Sequence, residues 1–242
     1  MIQIVPAIDL IDGKCVRLSK GEFSTKKEYD ADPADVAARF AECGARRIHL
    51  VDLEGAKQAA PANLAVLERI RSRVDIDLEW GGGIATLADL ATVFDAGATY
   101  AVVGTVAALK PELFLDWLDR YTGERIVLGA DIRNGRLAVR GWLSEVPLQV
   151  SDLVDQFQPA GLSQVVCTDI TRDGMLQGPA TRLYVDLQKR YPDVTFSVSG
   201  GIASMDDIRA LDALGLRRVV VGKALYEGRI TMDELAAWSQ RG

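Results

Sequence analysis

Residues 2–14 read IQIVPAIDLIDGK: a β-branched run, Ile2 to Ile8, then Asp9, then Asp12-Gly13-Lys14. Residues 126–136, IVLGADIRNGR, repeat the arrangement, with Asp131-Ile132-Arg133-Asn134-Gly135-Arg136 standing where Asp9-Leu10-Ile11-Asp12-Gly13-Lys14 stands in the first copy. The echo continues downstream. Val51-Asp52-Leu53 matches Thr168-Asp169-Ile170, Gly82-Gly83-Ile84 matches Gly200-Gly201-Ile202, and Val102-Val103-Gly104 matches Val220-Val221-Gly222, all shifted by about half the chain. This pattern predicts two fused (βα)4 halves, residues 1–122 and 123–242, within one domain.

Working outward, short β-branched runs alternate with amphipathic helical stretches along the whole chain, which specifies a parallel sheet. After Ile2 to Ile8, strands are expected at Arg47 to Asp52, Ile76 to Trp80, Tyr100 to Gly104, Arg125 to Asp131, Gln164 to Asp169, Val194 to Ser199 and Arg218 to Gly222. Helices are expected at Val36 to Cys43, Leu87 to Ala96, Pro111 to Tyr121, Arg182 to Arg190 and Met205 to Leu214, several ending at a glycine such as Gly44, Gly97 or Gly215. Eight strand-helix units close most simply as a (βα)8 (TIM) barrel, an α/β fold. The competing doubly wound sheet would normally open its first helix with Gly-x-Gly-x-x-Gly, and that fingerprint is absent.

Composition narrows the function. A chain of 242 residues, 48% hydrophobic, suits a single barrel. The 28 basic residues are outnumbered by 34 acidic ones, and a net charge of −6 provides no field for nucleic acid. No apolar run approaches the roughly 18 to 20 residues of a membrane span, and no signal-peptide core precedes Asp9, so a cytoplasmic protein is expected. Cys15, Cys43 and Cys167 are too widely spaced for a disulfide framework or a metal knuckle, and no metal site is expected.

In a barrel of this kind, chemistry sits at the carboxyl ends of the strands, where Asp9, Asp52, Asp131 and Asp169 all fall. A lone strand-end aspartate is as readily a helix cap or loop acceptor. Duplication at the facing first and fifth strands favours acid-base work for Asp9 and Asp131. Glycine-rich turns follow the third and seventh strands at Gly82-Gly83 and Gly200-Gly201, and Gly104-Thr105 and Gly222-Lys223 close the fourth and eighth. Loops without side chains, followed by helix amino termini, can cradle phosphate. Two such cradles with carboxylates between them describe a substrate that carries phosphate at both ends and reacts in its middle.

Further segments extend the reading: Pro6-Ala7-Ile8-Asp9-Leu10, Val16-Arg17-Leu18, His49-Leu50-Val51-Asp52-Leu53, Gly81-Gly82-Gly83-Ile84 and Gly141-Trp142. They continue with Thr168-Asp169-Ile170, Arg172-Asp173-Gly174, Ser199-Gly200-Gly201 and Val221-Gly222-Lys223-Ala224-Leu225-Tyr226-Glu227-Gly228. In this order and over nearly the whole chain, the sequence resembles the HisA family, the phosphoribosylformimino-aminoimidazole carboxamide ribotide isomerases of histidine biosynthesis. The resemblance implies an Amadori rearrangement of an aminoaldose to an aminoketose, without cofactor or metal, on a bisphosphorylated small molecule, and a monomer is expected. It makes Asp9 the general base, Asp131 the general acid with Asp169 as rival, and Thr168 the hydroxyl that orients the ribose. It places Arg17 and Trp142 on mobile loops, reaching a phosphate or carboxamide and stacking on the imidazole ring, and gives His49 a substrate contact. Ala85 stands where the family commonly has Arg, and Met175 where it has Thr. The alternatives are a dual-specificity isomerase that also takes phosphoribosylanthranilate, the sister cyclase of the pathway, and a non-catalytic sugar-phosphate binding module. The cyclase is disfavoured because Ala7-Ile8-Asp9-Leu10 stands where it typically carries Cys-Leu-Asp-Val.

Overall fold

The computed structural model describes residues 1–29 and 31–241. In chain order its strands are β1 (Gln3–Ile11), β2 (Lys14–Ser19), β3 (Glu22–Glu28), β4 (Arg47–Asp52), β5 (Asp77–Gly81), β6 (Tyr100–Val103), β7 (Ile126–Arg133), β8 (Arg136–Val139), β9 (Ser144–Val146), β10 (Gln164–Asp169), β11 (Thr195–Ser199) and β12 (Arg218–Val221). Eight of them pair in parallel in the order β1, β4, β5, β6, β7, β10, β11, β12, and β12 returns to β1. The sheet is a closed (βα)8 barrel, as the sequence predicts. Strands β4 and β10 coincide with the expected spans, and the other six shift by one to three residues at an end.

Helices form the outer layer, and local chemistry sets where they begin. Thr86 with Asp89, Ser204 with Asp207 and Thr231 with Glu234 make reciprocal capping boxes, while Pro33 and Pro111 open their helices at the position where a missing N–H does no harm. Each helix turns an apolar stripe inward, such as Leu90 and Val93 on Leu87–Asp95 or Ile208 and Leu211 on Met205–Ala213. Trp80, Trp117, Tyr184, Phe114 and Phe157 are fully buried between helices and barrel, each contributing roughly 1.5–3 kcal/mol or more of burial. No described helix is long and apolar enough to cross a membrane.

Inside the barrel, Val5, Ala7, Val127, Val166 and Val220 form an apolar layer. Beneath it lies a polar network in which Gln164 Oε1 accepts from both Arg47 and Arg218 at 3.0 Å, and Arg218 Nε donates to Gln3 at 3.2 Å. The middle of the barrel is therefore a plug, and the cavity lined by Asp9 and Asp131 lies at its carboxyl end.

Two features extend the first and fifth barrel strands beyond their expected ends. β1 folds back antiparallel on β2, and β7 on β8, through Asp12-Gly13 and Asn134-Gly135. All four turn residues have positive φ, as the tight hairpin turn requires. Lys20-Gly21 joins β2 to β3 in the same way. These hairpins stand over the mouth and carry Arg17 and the loop containing Trp142.

Candidate active site

Strand parity decides which mouth residues face the interior. Asp9 pairs in register with Val51, and Asp131 with Thr168, and all four line one cavity of about 550 Å³. One residue further along, Asp52 pairs with the fully buried core residue Leu10, and Asp169 with Ile132, which belongs to the same outer core. Side chains alternate across a strand, so these two carboxylates point away from the cavity.

Asp52 is wholly buried and accepts from the backbone N–H groups of Gly55 at 2.9 Å, Ala62 at 2.6 Å and Asn63 at 3.1 Å, and from Asn63 Nδ2 at 2.8 Å. It caps the helix Leu53–Gln58 and ties down the loop that follows. Asp169 accepts from Thr171 N at 3.0 Å and Thr171 Oγ1 at 2.6 Å and approaches Arg172 Nε at 3.5 Å. The expectation that either strand-end aspartate faces the reaction volume is corrected, and Asp169 leaves the set of acid candidates.

The remaining expected residues, Asp9, Arg17, His49, Gly82, Gly83, Gly104, Thr105, Asp131, Trp142, Thr168, Gly200, Gly201, Gly222 and Lys223, line the same cavity. Arg17 differs from its expected setting. It sits on β2, buried, and Nη1 donates to Asp9 Oδ2 at 2.5 Å while Nη2 donates to the Ala7 carbonyl at 3.1 Å. A side chain at Gly222 would collide with this guanidinium, so that glycine makes room for the ion pair. Trp142, in a positive-φ turn, lays its indole against Gly21 and donates from Nε1 to Asp131 Oδ2 at 2.7 Å. Its polar edge engages a carboxylate of the cavity, and its ring lines the same cavity.

The glycine turns hold two opposed parts of the rim. Gly82 and Gly200 both have positive φ, and each presses against the backbone of the outward-facing aspartate beside it, Asp52 and Asp169 respectively, where a side chain could not fit. Thr105 Oγ1 accepts from Arg140 N at 2.8 Å, and Lys223 Nζ donates to the Gly174 carbonyl at 2.7 Å.

That last contact delivers a residue the strand-end reading missed. Asp173 lies on the loop after β10, held across the mouth by Lys223 and by the Lys20 N–H, which donates to the Asp173 carbonyl at 3.1 Å. It lines the cavity, and burial pushes its carboxyl up to about 6 despite the opposing Arg17 charge, with Asp9 and Asp131 adding to the rise. The motif Arg172-Asp173-Gly174 was visible in the sequence, but nothing local says that this loop folds inward. Burial also raises Asp131 above the ordinary carboxylate range, opposed by donors from Trp142 and Thr168 and by His49. The cavity thus holds three carboxyls around one guanidinium, and burial strengthens the hold of two of them, Asp131 and Asp173, on their protons, an arrangement suited to acid-base chemistry.

A family model described as histidine biosynthesis protein matches residues 3–231. The 1-(5-phosphoribosyl)-5-((5-phosphoribosylamino)methylideneamino) imidazole-4-carboxamide isomerase of Cytophaga hutchinsonii is 45% identical over 239 residues, covering 99% of this chain and 100% of the relative. The isomerase of the same name from Bacteroides thetaiotaomicron is 44% identical over 235 residues, covering 97% and 98%. A barrel with opposed carboxylates at its mouth, matched almost end to end by these proteins, belongs to the histidine biosynthesis protein family, in its branch of imidazole-4-carboxamide isomerases.

Proposed function

We propose that this chain catalyses the Amadori rearrangement of the bisphosphorylated imidazole-4-carboxamide ribotide to its phosphoribulosyl isomer in histidine biosynthesis. The observation that carries the chemistry is the single cavity in which Asp9, Asp131 and Asp173 stand between two glycine-lined rims. Each rim would receive one phosphate, Gly82, Gly83, Gly104 and Thr105 on one side and Gly200, Gly201, Gly222 and Lys223 on the other.

In the rearrangement the aminoaldose ring must open, a proton must leave the second carbon, and a proton must reach the first. We assign the ring-opening acid to Asp173, in place of the Asp131 expected from sequence. It retains its proton to about 6; burial raises Asp131 as well, but Asp131 Oδ2 is already occupied by the Trp142 Nε1 donor at 2.7 Å. Asp173 protonates the ribose ring oxygen as the C1–O bond breaks, and the nitrogen lone pair forms a C1=N iminium. Asp9 then takes the C2 proton, leaving a C1=C2 enolamine. Loss of the C2 hydroxyl proton and protonation at C1 give the ketose with no net redox change. The iminium acidifies C2–H, so a carboxylate held by Arg17 is a sufficient base, and the ion pair fixes its direction. Asp131, held by Trp142, would face the iminium while Thr168 orients the ribose.

A steady-state assay with the formimino-aminoimidazole ribotide, and separately with phosphoribosylanthranilate, tests the assignment. Turnover of the first is expected. Turnover of both would make the chain the dual-specificity enzyme, and binding without turnover of either would make it a binding module.

A further inference from the structure

Glu79 has no role in the steps above, yet it is a wholly buried carboxyl inside the barrel. Its position on β5 places it beside His49 in register, one layer below the cavity floor. Oε2 accepts from Arg47 Nη1 at 3.1 Å, and Oε1 lies 2.7 Å from His49 Nδ1. Burial alone would raise its hold on a proton. The His49 bond, the charge that ring carries when protonated, and the Arg47 and Arg218 charges together outweigh burial and hold Glu79 below the ordinary glutamate range.

An ionised carboxylate only accepts hydrogen bonds, so the proton in the short contact must sit on Nδ1. The ring nitrogen that remains is Nε2. His49 lines the cavity, and Nε2 has no hydrogen-bond partner among the described residues and is not among the sealed, unpaired buried atoms. In the neutral ring its lone pair is therefore what His49 presents to the cavity.

We infer that Glu79 is a positioning residue that fixes the His49 tautomer, so that Nε2 accepts a hydrogen bond from a hydroxyl or N–H in the central part of the substrate. The inference rests on the isomerase reading for its substrate but not for its geometry. Arg47 holds the second carboxylate oxygen and leaves Glu79 no alternative rotation. The device links the polar layer under the barrel plug to the reacting layer above it.

His49 is the only histidine in the chain, so its imidazole nitrogens can be assigned in a 15N spectrum without ambiguity. The expected neutral-ring signature has the proton on Nδ1 and a bare Nε2. A proton on Nε2, whether Nδ1 is bare or also protonated, overturns the inference without any variant. Kinetically, Glu79→Gln is expected to lower kcat/KM at least about tenfold, because an amide can donate to Nδ1 and reverse the ring's polarity. Combined with His49→Ala, Glu79→Gln should add no further loss, whereas independent, additive losses would show that Glu79 acts otherwise than through His49. Wild-type protein inactive on the ribotide would sink the isomerase reading while the spectrum still decides the tautomer.

Discussion

Two pairs of aspartates at the same rim of the barrel have opposite fates. Asp9 and Asp131 line the cavity beside Arg17, Trp142 and Asp173, while Asp52 and Asp169 face outward and are saturated by their own loops. One position of strand parity separates the pairs. The inward carboxyls keep imperfectly matched surroundings, and burial raises Asp131 and Asp173 above the usual carboxylate range. Asp52 instead satisfies both oxygens with four donors from one loop. The comparison teaches that a strand-end aspartate in this fold serves either reactivity or architecture, and that incomplete local satisfaction marks the reactive ones.

Asp9→Asn sets the largest expected difference: turnover falls at least about a hundredfold with KM changed only a few-fold, measured at saturating ribotide. Near-normal turnover would remove Asp9 from the base role.

For Asp173→Asn the expected loss is about tenfold to a hundredfold, with a changed pH profile. In the wild type, kcat/KM should fall as pH rises through about 6, where Asp173 loses its proton, and this limb should vanish in the variant. Stability should respond as well. The unfolded chain releases this proton near pH 4, so between about 4 and 6 the folded state binds more protons, and wild-type stability falls as pH rises through that window. The asparagine variant escapes the penalty and should gain on wild type by up to about 3 kcal/mol above pH 6 in denaturant titrations. An unchanged difference across pH 4 to 7 would refute the raised carboxyl.

The outward pair should show the converse. Asp52→Ala is expected to lose about 2–4 kcal/mol of unfolding free energy, since it orphans buried backbone donors. Asp169→Asn gives the smallest effect, with kcat within about threefold of wild type, because its carboxylate orders the Thr171 turn and Arg172 outside the cavity. A hundredfold loss there would restore it to the acid role and break the distinction.

The half-chain echo, strand-helix alternation and glycine turns were enough for the barrel, because β-branched runs and amphipathic periods are local signals that barrel closure satisfies together. They were also enough for most of the cavity wall, because active-site loops in this fold follow strand ends. The hairpins at Asp12-Gly13 and Asn134-Gly135 had a legible turn signal that the echo masked. Asp169 and Asp52 could not be sorted by type or spacing from Asp9 and Asp131, since a shift of one residue in register exchanges the two faces of a strand. Tertiary structure alone decided that parity. It also carried Asp173 into the cavity by a loop anchored on Lys20 and Lys223, paired Arg17 with Asp9, and set Glu79 under His49. Apart from the Arg17–Asp9 pair, which the β1–β2 hairpin brings together, these contacts join residues far apart in the chain, and the fields that tune a buried carboxyl exist only once the barrel has closed around it.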